Sequence, residues 1–147
     1  MFFSFFNLTL STSYLDNIKS IEYIELPKQL YTTDAGSNRA VCVPEARSYY
    51  GIEGEGVLIG FIDTGIDYTH PAFRNSDGTT RIDYIYDLSE GGKAYNRDDI
   101  NNALKSQDPY SVVPSEDTVE HGTHVVGIAC AGGNIDEQYY GVAPKSS

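Results

Sequence analysis

Val57-Leu58-Ile59-Gly60-Phe61-Ile62-Asp63-Thr64-Gly65-Ile66-Asp67 is the stretch on which the reading of the fold turns. Val57 to Ile62 is an unbroken apolar run that follows a turn at Gly54-Glu55-Gly56. Without polar alternation, such a run predicts a strand buried on both faces, as in a parallel sheet. Parallel strands need helical crossovers, so the expected class is α/β. The run stops at Asp63, and in open α/β sheets functional sites form beyond the carboxyl ends of strands. A carboxylate at that position is a candidate catalytic group.

Taken alone, Asp63-Thr64-Gly65 supports three readings. It is a turn in which the aspartate caps and Gly65 supplies an unusual backbone angle. It is one of two aspartates sharing a proton around a water, as in aspartic proteases. Or it is a single aspartate that orients a histidine. A second segment, His121-Gly122-Thr123-His124-Val125-Val126-Gly127, weighs on the choice. His121 opens a helix of small residues that runs to Ala131 and is closed by Gly132-Gly133-Asn134. The positive end of the helix dipole disfavours imidazolium, which suits a base that is neutral at rest. A carboxylate and an imidazole are two of the three members of a nucleophilic triad. His124 lies three residues on and would make a metal pair with His121. No third ligand and no HExxH pattern accompany it, so it reads as structural.

The rest of the chain bounds what such a pair serves. Its 147 residues suffice for about one domain with a real core. The net charge of −11 comes with scattered Lys and Arg and no basic stripe, which argues against a nucleic-acid partner. No apolar run approaches the roughly 18 residues of a membrane span, so no membrane partner is expected. Met1-Phe2-Phe3-Ser4-Phe5-Phe6 has some look of a signal sequence but lacks a positive flank and a cleavage site. Cys42 and Cys130 form no metal or redox pattern, and Cys130, within Ile128-Ala129-Cys130-Ala131, reads as a small buried hydrophobe.

Outward from the two blocks, Ile18 and Ile21 suit a short helical turn, and Ile21 to Glu25 an edge strand stopped by Pro27. Thr32 to Arg39 is polar and reads as a linker, the best candidate boundary and cleavage site. Pro44 to Tyr50 suits a short helix stopped by Gly51. Ile82, Tyr84 and Tyr86 alternate with Asp83, Ile85 and Asp87 as a half-exposed strand, and Gly91-Gly92 marks a turn. Asp98 to Lys105 reads as a helix with an acidic first turn and with Ile100 and Leu104 on one face. Asp108 to Thr118 reads as a polar loop.

Together the two blocks resemble the subtilisin-like serine peptidases (subtilases, peptidase family S8). In that family the aspartate block reads Asp-Thr/Ser-Gly-Ile-Asp and is followed by His-Pro; here Asp63 to Asp67 is followed by His70-Pro71. The family's His-Gly-Thr-His-Val-Ala-Gly is matched by His121 to Gly127, and its Gly-Val-Ala-Pro by Gly141 to Pro144. The long spacing from Asp63 to His121, with Asp77-Gly78-Thr79-Thr80-Arg81-Ile82 inside it, resembles the clostridial branch that includes the spore Csp proteases.

The resemblance implies a three-layer subtilisin-like fold with a mainly parallel sheet, incomplete here and preceded by the end of an α+β propeptide. Residues 1–35 would be the C-terminal part of that propeptide plus a linker, and residues 36–147 the N-terminal part of the catalytic domain. The implied function is serine endopeptidase, with protein or peptide substrates and the chain's own propeptide as partners. A secreted, cell-surface or spore-associated location follows from the same resemblance. Asp63 would hold the tautomer of His121, His121 would take a proton from a serine, and Thr64 would support the Asp63 carboxylate. The nucleophilic serine and the oxyanion-hole asparagine belong to later blocks absent from these residues. Ser146 and Ser147 lack the serine's context. The chain alone is therefore expected to be inactive, with an exposed sheet edge and poor stability. An inactive subtilase-fold signalling module is the alternative. No cofactor is certain. Calcium is possible, but Ala72 stands where calcium-binding members often carry aspartate, leaving Asp136 and Glu137 as candidate oxygen ligands. Two further departures are Val126 in place of alanine and Glu120 where glycine is common.

Overall fold

The computed structural model describes residues 34–147. The expected helical turn and edge strand between residues 14 and 31 lie outside the described residues. Among the described residues, five α-helices and one hairpin follow in chain order. They are α1 (Asp34–Ala40), α2 (Val43–Tyr50), β1 (Tyr84–Asp87), β2 (Lys93–Asn96), α3 (Arg97–Leu104), α4 (Pro109–Val112) and α5 (His121–Cys130).

Residues 34–39, read from sequence as linker, form α1 instead. Gly36 and Ser37 are poor helix formers, so propensity does not account for it. Tertiary contact does. Asn38 is buried and its amide donates to the carbonyls of Ile128 in α5, at 3.4 Å, and of Tyr140, at 3.3 Å. Helix α2 matches its expectation. Pro44 sits in the first turn, and Gly51 ends the helix in the left-handed region, its N–H donating to Arg47 O. The Arg47 guanidinium then reaches Gly141 O at 2.9 Å, so α1 and α2 both fasten to the segment after α5.

Two apolar clusters make the core. The first joins Tyr68, Ile85, Tyr95, Ile100, Ala103 and Val113, and so holds the hairpin and α3 together. The second joins Ala72, Phe73, Val126, Cys130 and Ala131 along α5, with Ile66 and Ile82 packed against both. Cys130 is buried, as its apolar surroundings implied, and Val126 fills this second cluster. Strands β1 and β2 are antiparallel, with Ile85 opposite Tyr95 and Tyr84 opposite Asn96. Ile85 and Tyr95 face inward while Tyr84 and Tyr86 are exposed, the reverse of the face suggested by the Ile82-Tyr84-Tyr86 alternation. A one-residue shift of phase exchanges the faces of a strand, and the phase observed is the one that packs Ile85 and Tyr95 together in the first cluster. Helix α3 begins on a capping box in which Asn96 and Asp99 satisfy each other's backbone N–H groups. Ile100 is completely buried beneath it.

Arg81 ties the second cluster to the following chain. Its buried guanidinium donates to Ala72 O, Cys130 O and Ser146 O at 2.7–2.9 Å. Three carbonyl dipoles, one of them at the C-terminal end of α5, take the place of a counter-charge.

The Val57–Ile62 run departs from expectation. Among the described residues the only sheet is the β1–β2 hairpin, and the run is not part of it. Leu58 is 71% exposed and Ile62 96%. It does begin a parallel pairing: Ser147 N–H donates to Val57 O and Ile59 N–H donates to Ser147 O, both at 2.9 Å. One residue bonded to two residues of its neighbour, two apart, is the parallel pattern. The apolar composition suits a central strand, but a strand is defined by its neighbours, and among the described residues Ile59 packs against the second cluster while Ser147 supplies the parallel backbone bonds.

Candidate active site

Asp63 and His121, 58 residues apart in sequence, meet at the start of α5, with Asp63 Oδ1 2.7 Å from His121 Nδ1. The same oxygen accepts the Thr64 backbone N–H at 2.7 Å. With the carboxylate ionised, Nδ1 carries the hydrogen and Nε2 is left as the basic nitrogen. The imidazole side chain is 63% exposed and the carboxylate 18%. The hydrogen bond from His121, with that from Thr64, holds the Asp63 carboxyl below its usual range. The reciprocal bond to Asp63 raises His121 above the ordinary imidazole value, and the negative charge of Asp117 adds to it. The helix dipole favours neutral imidazole, as the sequence implied, but the carboxylate 2.7 Å away outweighs it.

Two glycines allow this approach. A Cβ on Gly122 would lie 2.2 Å from Gly65 O and 3.2 Å from Asp63 Cβ. Gly65, at φ 139°, adopts a backbone angle closed to other residues, and a Cβ there would press on Asp117 at 3.2 Å. The aspartate loop and the first turn of α5 are thus in backbone contact.

Asp117 holds that contact together. It is buried. Its Oδ1 accepts the Thr64 hydroxyl at 2.8 Å and the Glu120 N–H at 3.0 Å. Its Oδ2 accepts the Thr123 N–H at 2.8 Å and the Thr123 hydroxyl at 2.7 Å. Each threonine hydroxyl also accepts across the junction, Thr64 from Gly122 N–H at 2.9 Å and Thr123 from Asp67 N–H at 2.8 Å. Burial pushes the Asp117 carboxyl up, but the bonds from Thr123 and Thr64 outweigh it and hold the group at about 2.

The side chain of Thr64 therefore goes chiefly to Asp117, and its backbone N–H supports Asp63. Asp117 escaped the sequence reading because it lies in a segment read only as polar loop. The signal was an acidic residue just before a helix whose cap position, Glu120, offers no side-chain cap. Glu120 occupies the left-handed region at φ 65°, which is why glycine suits that position.

The neighbouring motif residues also serve the loop. Asp67 accepts the Thr69 N–H and hydroxyl and the Tyr110 hydroxyl, the last at 2.8 Å from α4. His70 caps the short helical turn Pro71–Phe73 by accepting Ala72 N–H. Asp136 turns back on its own segment, accepting from Gln138. Among the described residues no group of three or more His, Cys, Asp or Glu is placed to hold a metal ion. His124 is half-buried within α5. No helix among them is long and apolar enough to cross a membrane.

The subtilase family model matches residues 54–147, which carry this carboxylate–imidazole pair, and the chain belongs to that family. The solved structure of the Clostridium perfringens CspB protease superposes with a TM-score of 0.73 and 61% identity, over 76% of this chain and 24% of that one. The PII-type proteinase of Lactococcus lactis subsp. cremoris is 32% identical over 90% of this chain and 7% of its own length. The minor extracellular protease Vpr of Bacillus subtilis is 30% identical over 66% of this chain and 10% of its own. The chain thus spans a quarter or less of these relatives. The fold is accordingly α/β and subtilisin-like, and the described residues form part of it.

Proposed function

We propose that this chain carries the aspartate and histidine of a subtilisin-like serine endopeptidase, with residues 1–35 from its propeptide and 36–147 from its catalytic domain. The 2.7 Å contact between Asp63 Oδ1 and His121 Nδ1 is the observation that supports it most. In the whole protein, Nε2 of His121 removes the proton from the hydroxyl of a serine supplied by later sequence. The serine oxygen bonds to the scissile carbonyl carbon, and the C–N bond then breaks as Nε2 returns the proton to the leaving amine. Water enters by the same route and releases the acyl group. Throughout, Asp63 keeps Nδ1 protonated and stabilises the imidazolium. Proteins or peptides are the substrates. The propeptide is a partner until it is removed, and secretion agrees with relatives named as extracellular.

Labelling of the full-length protein with a serine-directed phosphonate tests this reading. Stoichiometric labelling, lost in His121→Ala, is expected. Absence of labelling in a folded, mature protein would instead favour an inactive subtilase-fold module. This chain by itself should hydrolyse no peptide, because nucleophile and oxyanion hole belong to other segments.

A further inference from the structure

We propose that Asp117 is a positioning residue for the Asp63–His121 pair, acting through Thr64 and Thr123; this rests on the reading of that pair as catalytic. Asp117 touches neither reacting group directly. It spans the two elements that carry them. Oδ1 binds the hydroxyl of Thr64, whose own N–H fixes Asp63 Oδ1. Oδ2 binds the N–H and hydroxyl of Thr123, in the first turn of the helix that His121 opens. Both hydroxyls are used as donor and acceptor, so each has one available orientation. The Thr64 hydroxyl donates to Asp117 and accepts from Gly122, the residue after His121. The Thr123 hydroxyl donates to Asp117 and accepts from Asp67, at the far end of the aspartate loop. A buried carboxylate with all four bonds donated to it sets this polarity, because it accepts only. An amide in its place would turn one oxygen into a donor facing two donors, leaving an N–H or hydroxyl unsatisfied whichever way it sits.

The consequence is geometric control of the Oδ1–Nδ1 contact. Displacements of about 1 Å at such a contact cost on the order of a hundredfold in rate. The test uses the full-length protein, with active sites counted by phosphonate titration. Asp117→Asn should lower kcat per titrated site on the order of a hundredfold and leave KM within about twofold. Thr64→Val should act in the same direction, while Thr64→Ser, which restores the hydroxyl, should recover most of the rate. The double variant Asp117→Asn/Thr64→Val should fall little below the worse single one, because both break one chain of bonds. The charged groups that act on His121 are Asp63 and Asp117. Removing the second charge should therefore move the acidic limb of the kcat/KM profile to lower pH.

The downfield proton resonance of His121 Nδ1–H is read alongside. It should move or broaden in Asp117→Asn and persist in Thr64→Ser. Full kcat per site in Asp117→Asn with this resonance unmoved overturns the proposal. So does a loss of titratable sites alone, with normal kcat in those that remain. If the wild type itself hydrolyses nothing, the peptidase reading fails separately. The resonance then decides the positioning role without any turnover.

Discussion

The junction at Asp63-Thr64-Gly65 and the run Val57–Ile62 just before it are adjacent in sequence and opposite in physical state. At the junction, Asp117 alone accepts four hydrogen bonds, and every polar partner it needs lies among the described residues. Along the run, Leu58 and Ile62 face solvent, and Ser147 is the one residue that begins a parallel pairing with it. Polar closure is satisfied by a few well-placed groups, because each hydrogen bond is local and directional. Burial of an apolar strand needs surfaces on both faces and partners at both edges. The site geometry and the sheet are therefore separable in this molecule.

The largest expected effect lies at the junction. In the full-length protein, Asp63→Asn should lower kcat on the order of ten-thousand-fold, because an amide can also donate to Nδ1, so the tautomer is no longer fixed, and the charge that stabilises the imidazolium is lost. A loss below tenfold would show that the pair is not used as proposed. Steady-state hydrolysis of a chromogenic peptide reads it.

A pair of glycine substitutions sets the two regions directly against each other. Gly122→Ala puts a methyl group 2.2 Å from a backbone oxygen. Backbone has little room to yield, so a cost of about 3 kcal/mol or more in chemical denaturation is expected. Gly60→Ala, in the run, meets nothing within 4 Å and should change stability by less than about 0.5 kcal/mol in this chain. Equal effects at both positions would erase the distinction.

Two pH limits follow from the same bonds. Asp117 is held at about 2, below its ordinary 3.8. Its contribution is present above that ordinary value and is lost as pH falls through the folded one, so acid unfolding should release the junction between about pH 4 and 2. Circular dichroism on Asp117→Asn should show this acid-sensitive component missing. His121 is raised by Asp63, so what their bond adds to stability is complete below the unfolded value of 6.5 and fades as pH rises through the folded one. Activity needs the neutral ring and runs the other way, with the acidic limb of kcat/KM centred above 6.5. The smallest effect concerns Glu120. Glu120→Gly removes a left-handed strain at φ 65° and should stabilise by about 1 kcal/mol in thermal unfolding.

The motif residues were readable because their chemistry is carried by residue type and spacing. Singling out Asp63 and His121, and the stop of α2 at Gly51, needed no knowledge of long-range packing. Helix α3 was legible for the same reason, since its acidic first turn and the Ile100–Leu104 face are local patterns. Asp117 was not, because its meaning comes from Thr64, 53 residues earlier, as much as from Thr123, six residues later. Nor was α1 legible, where a weak helical sequence is held by Asn38 reaching Ile128 and Tyr140. The inward face of β1 did not follow from the alternation, because the more apolar phase there is carried by Tyr84 and Tyr86, which stay exposed, while Ile85 packs with Tyr95 in the first cluster.

By itself the sequence determined the family membership and singled out the Asp63–His121 pair that is proposed to react. Asp-Thr-Gly at the end of an apolar run and His-Gly-Thr-His at the start of a small-residue helix are chemical requirements written in consecutive residues. Tertiary structure alone decided how the two are joined. A carboxylate fixes the direction of a hydrogen-bond chain only when it is brought, buried, within bonding distance of two hydroxyls that the sequence keeps far apart. The same is true in reverse of Val57 to Ile62, whose apolar sequence offers a strand that only neighbouring chain can make into one.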